Sequence, residues 1–258
     1  MTALVGGISV SRAWLAAVQV LLEVPNGQCS NLAVSIDSPT TEDAAIRREL
    51  DDFITAVRRD PRRRIRSVDT VAATIFPSAF YRPAAKDPES HLYEWEAKIR
   101  PAVRRDPANT RGTYFERLVA YPGPDGKPYN QLHHVLEKLR WARAHGWRNG
   151  NFYELALFHP ERDPQPEGFP CLSHVSITLA DGRLDAAALY RNQTFVSRAY
   201  GNFVGLGSLL NFLAAESGFA VGELLCVASH ADLESDKYTK KAVQSLVLAC
   251  ESALKETR

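Results

Sequence analysis

The sequence predicts an α+β fold in which a large mixed β-sheet is flanked by helices. Three observations point there. Apolar and polar residues alternate over residues 174–179 and again over 184–190, and Asp181-Gly182 between them suits a tight hairpin turn. Residues 206–216 are apolar on nearly every side, as a helix enclosed by the core must be. Strand-like and helix-like stretches are mixed without strict alternation, which favours α+β over a regular α/β order. The 258 residues, 45% hydrophobic and 24% charged, can bury a sizeable core and read as a single domain over 1–258.

From the N-terminus, residues 8–10, 16–24 and 32–36 read as short strands, with a turn at Pro25-Asn26-Gly27. Over residues 42–59, Ala45, Ile46, Leu50, Phe53, Ile54 and Val57 recur at helical spacing. The basic run Arg58, Arg59, Arg62, Arg63, Arg64 and Arg66 follows. It is either a solvated loop or a contact for phosphate, whose oxygens match the planar arginine fork. A short helix is expected around Tyr93-Glu94-Trp95, and residues 121–128 are dense in turn formers. Asn130 can cap the next helix, whose buried stripe is Leu132, Val135, Leu136 and Leu139, with Gly146 beyond its end. Residues 152–158 read as a buried strand, 160–170 as a proline-rich loop that delivers Cys171, and 224–228 as another buried strand. Residues 238–254 form a terminal helix with Ala242, Leu246, Ala249, Cys250 and Ala253 on one face.

Bulk properties exclude several classes. A net charge of +1 creates no global field for nucleic acid or an anionic membrane. Apolar runs such as 13–24 are interrupted and too short to span a bilayer, and the N-terminus lacks the pattern of a signal peptide. Cys29, Cys171, Cys226 and Cys250 are scattered, so neither a metal site nor a disulfide framework is expected, and a reducing cytoplasm fits best.

Between residues 112 and 233, four segments stand in a telling order and spacing. TYFERLVAYPGPDGKPYNQLHHVLEKL leads into a leucine-rich helix, and FYELALFHPERDPQPEGFPC ends on Cys171. LADGRLDAAALYRN returns to Arg191, twenty residues beyond the cysteine, and NFVGLGSLLNFLAAESGFAVGELL opens on Asn202. In these segments the chain resembles the thymidylate synthase and pyrimidine hydroxymethylase superfamily. The resemblance implies a thymidylate-synthase-like sheet, a homodimer and a nucleotide or nucleoside-like small-molecule substrate. It also implies methylenetetrahydrofolate as one-carbon donor. A cysteine thiolate, here Cys171, would attack C6 of a pyrimidine and make C5 nucleophilic. Arg191 would then touch the cysteine and the substrate phosphate, and Asn202 the pyrimidine's amide edge. Tyr114 would belong to a proton relay, and Trp95 would lie near the folate. Taken by themselves, Arg191 could pair with a carboxylate, Asn202 could cap a helix, and Tyr114 and Trp95 could pack in the core. Cys29, Cys226 and Cys250 read as small buried hydrophobes.

The chain also departs from that pattern. The family's paired cross-dimer arginines fall at Asn151 and Phe152, its folate-facing carboxylate at Thr194, and its phosphate-side serine at Asn192. The sugar-binding His and Tyr fall at Asp232 and Glu234, an exchange expected to make that surface acidic, and Leu172 follows the nucleophile. The catalytic Glu of the early helix has no clear counterpart, Asp69 being the nearest acid, and no closing tail is found before Arg258. The expectation is therefore an enzyme that activates a pyrimidine or related heterocycle for methyl or hydroxymethyl transfer, other than the housekeeping dUMP reaction. The alternative is a non-catalytic ligand-binding or scaffold protein that kept the fold. Neither a membrane nor a nucleic acid is expected as partner.

Overall fold

The computed structural model describes residues 2–60, 62–63, 65–123, 125–163 and 170–256. The chain opens with β1 (Ala3–Ser9), α1 (Val10–Glu23) and β2 (Gln28–Ser38). Of residues 16–24, strand-like in composition, all but Val24 belong to α1 instead. The Ser9 hydroxyl accepts from the Arg12 N–H and starts the helix, and Val10, Ala13, Trp14, Ala17, Val18 and Leu21 then fall on one buried face. Helices α2 (Ala44–Arg58), α3 (Val68–Ala73) and α4 (Pro88–Val103) follow. The last is longer than the segment around Tyr93 suggests, because Asp87 caps it and Pro88 stands at its first position. Next come α5 (Tyr114–Val119) and a small hairpin, β3 (Tyr121–Pro122) with β4 (Pro128–Tyr129), inside the turn-rich stretch. Asn130 Oδ1 accepts from the His133 N–H at 2.9 Å and starts α6 (Gln131–Ala144).

The second half supplies β5 (Gly150–Ala156), β6 (Leu172–Ala180), β7 (Arg183–Tyr190) and β8 (Gln193–Thr194). Asp181 and Gly182, both at positive φ, turn β6 into β7. A π-helical turn, Phe195–Ala199, feeds α7 (Tyr200–Ser217), which ends at left-handed Gly218. Then come β9 (Ala220–Asp232) and α8 (Lys240–Glu256). The buried stripe of α8 is Val243, Leu246, Val247 and Cys250, so Leu246 and Cys250 of the expected face are buried while Val243 and Val247 take the place of Ala242, Ala249 and Ala253; valines bury more apolar area than alanines.

The strand order is β1-β2-β9-β7-β6-β5, with β8 beside β9. Pairs β1/β2, β7/β9 and β8/β9 are parallel and the rest antiparallel, the large mixed sheet that the sequence predicts. One face carries Leu32, Val34, Ile36, Val175, Ile177, Leu184, Leu224 and Cys226 into the helical layer. Pairing register sets a second apolar row on the opposite face: Leu4 faces Ala33, Ala33 faces Val227, and Val227 faces Leu189. Leu4 is 73% and Leu189 44% exposed there.

Helix α7 is the centre of the helical layer, and it approaches α3 backbone to backbone. A Cβ on Gly201 would lie 2.6 Å from Val71 Cβ, and one on Gly205 would lie 2.7 Å from the Ala72 carbonyl oxygen. Four residues apart, the two glycines share one helix face. Alanine is the better helix former by about 1 kcal/mol, but overpacking costs about 1–3 kcal/mol. Gly205→Ala is therefore expected to lower the urea midpoint without changing the slope. A midpoint equal to or above the parent's would show that the close approach is not needed.

Candidate active site

Cys171 immediately precedes β6. Its carbonyl accepts from the Arg191 N–H at 2.9 Å, and the next residue, Leu172, pairs with Tyr190 in the β6–β7 ladder. The backbone around the thiol is thus fixed by the sheet. Cys171 is partly exposed, whereas Cys29, Cys226 and Cys250 are buried. Burial pushes the Cys226 thiol well up and that of Cys250 up to about 12, so both stay protonated at neutral pH. Residues 164–169 of the expected proline-rich loop lie outside the described residues.

Cys171 opens into a cavity of about 920 Å³. Its described wall comes from α3 (Thr70, Val71, Thr74), the stretch 107–114, Asn192 to Thr194, the π-helical turn, Asn202 of α7, and Glu234 to Tyr238. Thr113 caps α5 and so sets Tyr114 at its first position. The Tyr114 hydroxyl accepts from the Leu172 N–H at 3.4 Å, next in sequence to Cys171. Burial first, and then the neighbouring Cys171, push this phenol up to about 12, so it keeps its proton as a donor. Asn202 is 5% exposed, lies inside α7 and makes no cap bond. Its amide has no protein hydrogen-bond partner among the described residues and remains open to a ligand. Asn192 lines the same wall with its side-chain oxygen buried and unpartnered.

The other candidates stand apart from this wall. The Arg191 Nε donates to the Pro170 carbonyl at 3.4 Å, beside the backbone of Cys171 rather than in the described lining. Trp95 stacks on Phe80 with ring centroids 3.8 Å apart, and Asp232 accepts from the Glu234 N–H. Asp69 is tied to Arg47 at 2.6 Å, so α3 presents two threonines and a valine to the cavity. Glu234 is 2% exposed, and its carboxylate accepts from the Ser197 N–H and hydroxyl, both at 2.8 Å, and from Lys237 at 3.2 Å. The acidic surface expected at Asp232 and Glu234 is thereby consumed within the protein. Seven lysines and arginines line the wall, against Glu234 and Asp236 as its acids. Arg62, Arg63 and Arg66 of the basic run are among the seven, and Arg64 lies outside the described residues.

Two lining residues escape the sequence reading. Gln193 is 2% exposed with both amide atoms unpartnered. Arg198, on the π-helical turn, is four residues before Asn202, and that spacing was the available signal.

No protein-family model matches the chain. A stretch of 112 residues, 43% of the chain, is 30% identical to a protein of Methanothermobacter thermautotrophicus named "Putative thymidylate synthase". A protein of the same name from Methanothermobacter marburgensis is 28% identical over 112 residues. The match spans 46% of the length of each of these curated relatives.

Arg117, also on the wall, forks onto Asp163 at 2.6 and 2.9 Å, and the His159 N–H donates to the same carboxylate. Burial opposes ionisation of Asp163, yet Arg117 and His159 outweigh it and hold the carboxyl below its ordinary 3.8. A depressed carboxyl contributes stability above its unfolded pKa and loses it as pH falls through the folded one. Stability should therefore drop as the pH falls below about 4. Asp163→Asn should remove that component and cost about 3 kcal/mol at neutral pH, read by urea melts at several pH values. Parallel pH profiles for parent and variant would refute the assignment.

Proposed function

We propose that the chain is a thymidylate-synthase-like transferase acting on a pyrimidine or related heterocycle. The observation that carries this reading is the single partly exposed cysteine, Cys171, opening with Tyr114, Asn192 and Asn202 into one large cavity. The likeness to the two archaeal proteins supports it.

In the proposed reaction the Cys171 thiolate forms a bond to C6 of the ring. The C5–C6 electron pair moves onto C5 and the adjacent carbonyl, giving an enolate. The Asn202 amide pairs with the ring's amide edge, offering one donor and one acceptor. Tyr114, protonated at neutral pH, donates to the developing oxyanion or to a water beside it. C5 then takes up an electrophile, either a proton from water or a one-carbon unit that a separate donor would supply, loses its own proton, and the sulfur departs. A hydroxymethyl product would need water to capture that carbon, and a methyl product would need a hydride donor. The carboxylate through which the family meets methylenetetrahydrofolate is absent from the described wall. Thr194 stands at that position with its hydroxyl 3.1 Å from that of Ser197, and Trp95, stacked on Phe80, is outside the described lining. The reaction is accordingly built on the chain's own residues.

Label should leave C5-tritiated uracil or cytosine nucleosides or nucleotides when they are incubated with the protein, and Cys171→Ser should reduce release to background. No release, together with no Cys171 adduct by mass spectrometry, would instead identify a binding protein that kept the fold.

A homodimer belongs to the same proposal. The row Leu4, Ala33, Val227 and Leu189 gives the uncovered sheet face an apolar strip running across four strands. Sheet faces pack well against one another. Sedimentation velocity should give twice the 28.6 kDa chain mass, and Leu189→Glu should return the monomer. A monomeric parent chain at micromolar concentration would remove this part of the proposal.

A further inference from the structure

The cations around the cavity are not equivalent. Arg62 and Arg63 pair with Asp60, Arg66 with Asp106, Arg117 with Asp163, and Lys237 with Glu234. Arg111 has no such ion pair but is exposed at the mouth, where water solvates it. Arg198 is partly buried and stands in the π-helical turn that leads into α7. Among the described residues its guanidinium makes no ion pair and no side-chain hydrogen bond. Its charge is felt by the phenols of Tyr114 and Tyr238, both on the same wall. The backbone donor that this turn could offer an anion is already taken, since the Ser197 N–H donates to Glu234.

A guanidinium drawn partly out of water without a partner is costly, and an anionic ligand removes that cost. We propose that Arg198 anchors an oxyanion subsite of this cavity, binding a phosphate or carboxylate carried by the small-molecule ligand. The planar fork can engage two oxygens of either group, which a point charge such as lysine cannot do. The subsite rests on the reading of the cavity as a ligand site, not on the reaction assigned to Cys171. It also accounts for a substitution. The positions where the resemblance puts phosphate-binding arginines, Asn151 and Phe152, hold no cation and lie on β5 outside the described wall. Arg198 supplies the charge from within the same chain, one helical turn from Asn202.

The test uses the thiol as its reporter. The full chain is alkylated with iodoacetate, an anion, and with iodoacetamide, its neutral analogue, and the rate at Cys171 is followed by peptide mass spectrometry. The ratio of the two rates cancels any change in the thiol itself. The ratio in the parent should exceed that in Arg198→Gln by about tenfold, the scale of one charge-assisted contact. Arg198→Lys, the milder change, should fall between them. Inorganic phosphate or glutarate should slow iodoacetate in the parent and not in Arg198→Gln, and the better competitor identifies the group the subsite prefers. Equal ratios in the parent and both variants, or no competition by either anion, would overturn the proposal. A failure of tritium release would leave it standing, so the two readings fail separately.

Discussion

The structure depends on α7 being able to touch its neighbours without side chains in between. Gly201 and Gly205 bring α3 onto the helix, and a Cβ on Gly207 would lie 1.9 Å from the Pro39 carbonyl oxygen. Such contacts leave no room for adjustment, since core packing transmits strain rather than absorbing it. Their consequence is positional. The helix that carries Asn202 also forms the seat for α3, whose Thr70, Val71 and Thr74 make the opposite part of the cavity wall. Moving α7 by a side-chain diameter would open the wall and shift the amide away from the thiol together.

The sheet supplies the other half of the geometry. Cys171 is held through its own carbonyl by Arg191 and through Leu172 by Tyr190, so the end of β7 fixes the start of β6. Cys171 meets the cavity directly from the start of β6. Tyr114 adds a third constraint, because its hydroxyl bonds the Leu172 N–H while its ring lines the wall. The thiol, the phenol and the amide therefore come from three elements that are each anchored by backbone. Such anchoring is the usual requirement for a site in which small displacements cost reactivity.

Much of this was legible in the sequence where one physical signal dominated. The β6–β7 hairpin announced itself by alternation around Asp181-Gly182, and Asn130 and Gly146 marked the ends of α6 correctly. Residues 16–24 misled because a densely apolar stretch has no clear period, and the deciding Ser9 cap lies seven residues upstream of that stretch. Within the site, the family resemblance singled out Cys171, Tyr114, Asn192 and Asn202, and the four line one cavity. The charges were not. Counting Asp232 and Glu234 as acids gave an acidic pocket, but a carboxylate's effect depends on what it bonds. Glu234 is neutralised by Ser197 and Lys237, a turn-level contact that no linear pattern reveals. Arg62, Arg63 and Arg66 could be read as a solvated loop or as a phosphate contact, because the cavity they line is made by elements far apart in sequence.

The distribution of acids decides what chemistry the wall can support. A general base positioned on the reacting proton contributes about 10²–10⁴-fold. Asp69 is tied to Arg47, Glu234 to Ser197 and Lys237, and Asp236 is exposed. Tyr114 keeps its proton up to about pH 12, so it can donate but cannot serve as the resting base. On the proposed reaction, the step that generates the enolate is therefore well served, by a fixed thiol, an amide, a phenol donor and a cationic wall. The step that removes the C5 proton must rely on water held near Tyr114. Attack and proton removal make opposite demands, one for stabilised negative charge and the other for a basic group. A wall this rich in cations satisfies the first demand at the expense of the second, because positive charge that stabilises a developing enolate lowers the basicity of any group beside it.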